Sequence, residues 1–189
     1  MVEGEEGLVE GLRQGDPVAF DRAYAAYRPR VFGFLLRLTR RRDLAEDLLQ
    51  ETWIRLAKNA RRLTPDTQLR AWLYTVARNL YLSHRRWVLV DLDRLTALTP
   101  PKGITPDGTT PFDLAAAGET GRRLEEALGR LPLKYREVLL LVGVDGLTPA
   151  EAAQVLSLSP EALRQRLKRA RDMVVESLSA ADGQKVRSP

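Results

Sequence analysis

Residues 88–121 contain Pro100, Pro101, Pro106 and Pro111 together with Gly103, Gly108, Gly118 and Gly121. Eight backbone punctuators in 34 residues leave no helical or strand period after Leu98. A structureless stretch of that length is foreign to the interior of a compact domain. The chain therefore reads as two blocks, 16–87 and 122–178, joined by a flexible linker over 88–121, with tails at 1–15 and 179–189.

Charge follows the same division. The net charge is −3 over 1–15, +8 over 16–87, −3 over 88–121, +2 over 122–178 and +1 over 179–189. The chain thus reads as basic block, acidic stretch and basic block.

The residue inventory removes most catalytic classes. There is no cysteine, hence no disulfide scaffold, cysteine-based zinc site, iron–sulfur cluster or thiol nucleophile. The lone histidine, His84, has no second ligand candidate and reads as a surface polar residue. With no metal-ligand spacing, Gly-rich phosphate loop or nucleophile motif, the chain is expected to be no enzyme and to carry no cofactor or metal. The longest aliphatic run, Val138 to Val142, falls far short of the roughly 18 apolar residues that span a bilayer. The acidic start Met-Val-Glu-Gly-Glu-Glu is unlike a signal peptide. The expectation is a cytoplasmic protein with no membrane insertion.

Both blocks carry helical signals and no competing alternation, so the fold class is all-α. Asp16-Pro17 places a cap before a first-turn proline. Phe20, Tyr24, Tyr27, Val31, Phe34, Leu35 and Leu38 then follow at spacings of three and four. Asp43 and Glu46 suggest a capped second helix with Leu44, Leu48, Leu49, Trp53, Ile54 and Leu56 as its apolar residues, Leu49 and Ile54 being expected in the core. A turn at Thr64-Pro65-Asp66 leads to a third, with Leu69, Trp72, Leu73, Val76, Ala77 and Leu80.

In the second block, helices are expected over Arg122–Leu131 and Leu133–Val142. Thr148-Pro149-Ala150-Glu151 is a capping box opening a short helix to Leu156. After the tight turn Ser157-Leu158-Ser159, a last helix opens at Pro160 and runs to about Leu178. A capped short helix, a turn of three residues and a basic second helix describe a helix-turn-helix. In the last helix Leu163, Leu167, Ala170, Val174 and Leu178 form the inner stripe, while Arg164, Gln165, Lys168 and Arg169 fall within an outer arc of about 140°. Arg and Gln suit base edges, and Lys suits phosphate.

Both blocks resemble the extracytoplasmic-function sigma factors of bacterial RNA polymerase. Asp43-Leu-Ala-Glu-Asp-Leu-Leu-Gln-Glu-Thr-Trp53 and Leu69-Arg-Ala-Trp-Leu-Tyr-Thr-Val-Ala-Arg-Asn79 are similar to sigma region 2. Leu131-Pro-Leu-Lys-Tyr-Arg-Glu-Val-Leu-Leu140 and the helix-turn-helix ending Arg166-Leu-Lys-Arg-Ala-Arg171 are similar to region 4. The resemblance covers the two blocks in the family's order, without the region 3 of larger sigma factors.

What the resemblance implies can be carried over by position. Asp47, Leu48, Gln50, Glu51 and Trp53 would dock on the core polymerase. Arg78, Asn79, Tyr81, Ser83, Arg85, Arg86 and Trp87 would read the single-stranded −10 element, where aromatic and Arg planes stack on exposed bases. Pro160, Glu161, Arg164, Gln165, Lys168 and Arg169 would meet the −35 element. Ser83 stands where the family commonly has Asp, and the Ser-Pro-Glu-Ala-Leu start of the last helix departs from a Gly-Thr-Val type. The implied partners are RNA polymerase core, promoter DNA and an anti-sigma factor, with the free protein a monomer. At this level a two-domain regulator acting without core, or a helical adaptor that binds no DNA, stays open.

Overall fold

The computed structural model describes residues 5–95 and 111–185, with side chains described over 7–88 and 121–179. Among the described residues every regular element is helical and no strand occurs. The chain divides into two compact units, Met1–Gly108 and Thr109–Pro189.

The first unit holds α1 (Glu5–Gln14), α2 (Pro17–Thr39), α3 (Arg42–Asn59), a 3-10 turn over Ala60–Arg62 and α4 (Leu69–Leu95). Helix α1 corrects the expected N-terminal tail: Leu8, Val9 and Leu12 are buried against α2 and the 3-10 turn. Their spacing of three and four was present in the sequence, but the surrounding acids concealed it.

Helix α2 starts as its cap demands. Asp16 accepts from the Val18 N–H at 2.9 Å and Pro17 occupies the first turn. It ends where Arg40 turns left-handed at φ 56° and returns its N–H to the Leu36 carbonyl. Val31, Phe34, Leu35 and Leu38 face the core, and Phe34 meets Tyr74 of α4 edge-on with centroids 5.1 Å apart. The upper half of the expected stripe behaves differently. Tyr24 is exposed and Phe20 and Tyr27 are only half-buried, because α3 covers that end incompletely.

The expected Asp43 cap of α3 is also corrected. Arg41 is the extended N-cap residue and makes no side-chain cap bond. Asp43 already lies within the helix, its carboxylate paired with the Arg41 guanidinium, while Glu46 accepts from Arg42 at 2.8 Å. Helix α4 continues to Leu95, eight residues past the boundary expected at Trp87. Its buried residues Leu69, Leu73, Tyr74 and Ala77 close the core.

The second unit holds α5 (Pro111–Arg130), α6 (Leu133–Leu139), a π-helical turn over Leu140–Val144, α7 (Pro149–Leu156) and α8 (Pro160–Lys185). Helix α5 begins inside the stretch expected to be linker and breaks at Gly118, whose φ of 59° and ψ of −169° are accessible to glycine alone. The remainder of the expected linker, 96–110, lies outside the described residues. Arg136 closes the end of α5, donating to the carbonyls of Leu128 at 3.0 Å, Gly129 at 2.6 Å and Leu131 at 3.1 Å. The Leu128 carbonyl also accepts from the Leu131 N–H at 3.2 Å, and the Gly129 carbonyl is one that a helix C-terminus leaves without an intrahelical partner. Helix α8 overruns its expected end at Leu178 and enters the expected tail, and Arg123 of α5 donates to the Leu178 carbonyl at 3.3 Å.

Candidate nucleic-acid and polymerase interfaces

The helix-turn-helix is built from strong local signals. Thr148 accepts from the Glu151 N–H at 3.2 Å and Glu151 accepts from the Thr148 N–H at 2.7 Å, completing the capping box of α7. Ser157 takes a left-handed φ of 53° and ends α7. Two residues on, the Ser159 hydroxyl accepts from the Ala162 N–H at 3.1 Å and starts α8. Leu163 and Ala170 are fully buried, pinning the rotation of α8. Arg164, Gln165, Lys168 and Arg169 are consequently all exposed on one side, and Pro160 and Glu161 are exposed at the tip.

Within this arc Glu161 has an organising part. Its carboxylate accepts from Arg164 Nη2 at 2.6 Å and Nε at 3.2 Å, and from Gln165 Nε2 at 3.3 Å. The Arg164 hydrogen bond, then its charge, hold the Glu161 carboxyl below the usual carboxylate range, so it stays ionised at neutral pH.

On α4, Asn79, Leu82, Ser83, Arg85 and Arg86 line one shallow depression of about 600 Å³. Trp87 stands beside it with 70% of its surface exposed. Ser83 accepts a long 3.3 Å hydrogen bond from Arg86 Nη2, which an aspartate there would replace by an ion pair. Arg78 is half-buried. Tyr81 is half-buried too, about 160° round the helix from Ser83 and on the side of Arg78 and Arg85.

The α3 residues divide sharply. Asp47 and Gln50 are exposed, and Glu51 is half-exposed and bonded to Arg55 at 3.0 Å. Leu48 and Trp53 are buried, Trp53 to 5%. Ile54, expected in the core with Leu49, is instead 37% exposed and sits between Gln50 and Asp47 on the outer arc. The sequence held that signal, since its helical angle is within about 40° of both.

Trp53 floors a groove of about 570 Å³ between α2 and α3, walled by Tyr24, Arg28, Phe32, Gln50 and Ile54 among others. Its ring meets Tyr24 at 4.9 Å and Phe20 at 6.0 Å, both edge-to-face. The buried Trp53 Nε1–H finds no hydrogen-bond acceptor among the described residues. The α2 side of this groove went unread in the sequence, because Tyr24 and Arg28 become neighbours of α3 only on packing.

Among the described residues no group of three or more acids or histidines could hold a metal, and no helix is long and apolar enough to cross a membrane.

Comparison with known proteins agrees with this geometry. Residues 23–87 match the model of Sigma-70 region 2, and residues 121–174 that of Sigma-70, region 4. The chain is 34% identical over 173 residues to RNA polymerase sigma factor CarQ of Myxococcus xanthus, covering 90% of this chain and 95% of that protein. The chain belongs to the extracytoplasmic-function sigma factors. The factor SigW of Bacillus subtilis is 27% identical, across 90% of this chain and 94% of its own. Among solved structures, CnrH in complex with the cytosolic domain of CnrY is similar at a TM-score of 0.69 and 25% identity, covering 93% of this chain and 97% of that one. The factor RpoE, in complex with the anti-sigma factor NepR from Bartonella quintana, gives the same score and identity over 85% of this chain and 96% of that one. This sigma factor thus has the fold and region order of its group, with α2–α4 in region 2 and α5–α8 in region 4.

Proposed function

We propose that this sigma factor docks on RNA polymerase core through its α2–α3 face and directs it to promoters, reading the −10 element with α4 and the −35 element with α8. The observation that carries the reading is how exposed chemistry is divided between the units. Helix α4 offers Trp87, Asn79, Arg85 and Arg86, a stacking plane among cations and an amide, which suits unpaired bases. Helix α8 offers Arg164, Gln165, Lys168 and Arg169 on the second helix of a helix-turn-helix, which suits a duplex major groove.

Docking on core rests on Asp47, Gln50, Ile54 and Glu51, an apolar residue ringed by polar ones, the pattern of a protein interface centre and rim. Leu48 and Trp53 act from below by holding α3 in place. The proposal includes an anti-sigma partner in the cytoplasm, since CnrH and RpoE were solved with CnrY and NepR. The protein itself performs no catalysis, the chemistry of RNA synthesis belonging to the polymerase.

Run-off transcription with purified core tests the reading. A specific transcript is expected only when core and this protein are both present. Transcription indifferent to the protein, or tight sequence-specific duplex binding by the protein alone, would refute it.

A further inference from the structure

On the outer face of α8 one acid stands among bases. At about 100° per residue, Glu161 lies at the middle of the arc that Arg164, Lys168, Gln165 and Arg169 span, on the turn nearest the helix start. A carboxylate there repels phosphate and looks misplaced on a DNA-reading surface. Its contacts suggest a different use. Both bonds from Arg164 run to the same oxygen, through Nε and Nη2, while the other oxygen accepts from Gln165. The guanidinium is a planar fork with two edges that can each make a paired hydrogen bond. Glu161 occupies the side edge, Nε with Nη2, and leaves the end edge, Nη1 with Nη2, for another acceptor.

We propose that Glu161 is the positioning residue that sets −35 specificity, by fixing Arg164 so that its end edge reads one guanine through O6 and N7. Arg carries substantial rotamer entropy, and fixing the fork before binding removes part of that cost from recognition. The carboxylate also neutralises Arg164 toward phosphate, so the side chain discriminates between bases in preference to clinging to any backbone. Gln165 is steadied by the same carboxylate. This rests on the sigma reading above and adds a residue that acts through another.

The test uses full-length protein with core polymerase and run-off transcription over all single-base −35 variants of one cognate promoter. Glu161→Gln keeps size and shape but loses the charge, Glu161→Asp keeps the charge, and Arg164→Ala removes the reader. Glu161→Gln is expected to flatten base preference by about fivefold, the lower end of what one bidentate contact discriminates. The flattening falls at the same base pair that Arg164→Ala flattens, and the double variant Glu161→Gln/Arg164→Ala adds nothing there. Glu161→Asp restores most of the preference, and a −10 variant panel stays unchanged. The proposal is overturned if Glu161→Gln leaves the preference intact, moves it at a different base pair, or scales all −35 variants alike. A wild-type protein that never supports core-dependent transcription would overturn the sigma reading itself, and the proposal with it.

Discussion

A Cβ placed on Gly11 would come within 2.6 Å of the Ala19 Cβ, so α1 can lie on α2 at its observed separation only because residue 11 has no side chain. The contact is between two stiff helices, and the obstructing atom is the Ala19 methyl bonded directly to its Cα, so it cannot swing away. Gly11→Ala is expected to destabilise the first unit by about 1–3 kcal/mol, although alanine is the better helix former. Leu12→Ala, at a fully buried site, is expected to cost about 2–5 kcal/mol. Urea unfolding measures both. If neither variant moves the midpoint, α1 does not contribute to the core.

The groove above Trp53 separates stability from docking. Trp53→Phe deletes a buried N–H that has no acceptor, a group whose desolvation costs about 1–3 kcal/mol, and this offsets much of the lost ring contact. The unfolding midpoint is expected to change little. Ile54→Asp, on the outer arc, is expected to leave stability within about 0.5 kcal/mol. Ile54→Asp is expected to weaken association with core, measured by titration of labelled protein, while the buried Trp53→Phe leaves it near wild type. Core affinity equal to wild type in Ile54→Asp would place the interface elsewhere.

Base readers and phosphate holders on α8 make separable predictions. Arg164→Ala and Arg169→Ala are each expected to flatten preference at one −35 base pair, by about 1–3 kcal/mol of discrimination. Arg171 is exposed about three turns from the tip of the helix. Arg171→Ala is expected to scale all −35 variants alike, with a shallower dependence on salt. Transcription over a promoter panel at two salt concentrations reads both effects.

Acid sensitivity follows from exposed carboxylates. Glu10, Asp43, Asp66 and Glu161 are held below their ordinary values by hydrogen bonds, foremost from Gln14, Arg41, Thr64 and Arg164 in turn. A carboxyl lowered on folding adds stability that is present above its unfolded value and vanishes as pH falls through its folded value. Stability is therefore expected to be flat above about pH 5 and to decline below it. The decline should shrink in 1 M salt, where surface pairs are screened. Thermal unfolding across pH 3–7 checks this, and a midpoint that rises on acidification would contradict it.

Much of α8, the proposed DNA-reading helix, was legible in the sequence, and the reason is range. The Thr148–Glu151 box, the Ser159 cap and the stripe from Leu163 to Leu178 are set by groups three or four residues apart. The proposed polymerase-docking face was legible only in part. Asp47 and Gln50 are exposed and Glu51 is half-exposed, whereas Ile54, read as core, is exposed. An apolar residue at helical spacing does not say whether a neighbouring helix reaches it.

By itself the sequence determined that the chain is helical, where α2, α7 and α8 start, and which side of α8 is basic. All of these follow from contacts within one turn of helix. Only the tertiary structure decided that α1 is part of the core, that Tyr24 and Ile54 turn outward while Trp53 floors a groove, and that Arg136 closes the end of α5. Those outcomes depend on which surfaces meet once the helices pack. Burial is a property of neighbours distant in the chain, and spacing along one helix does not encode it.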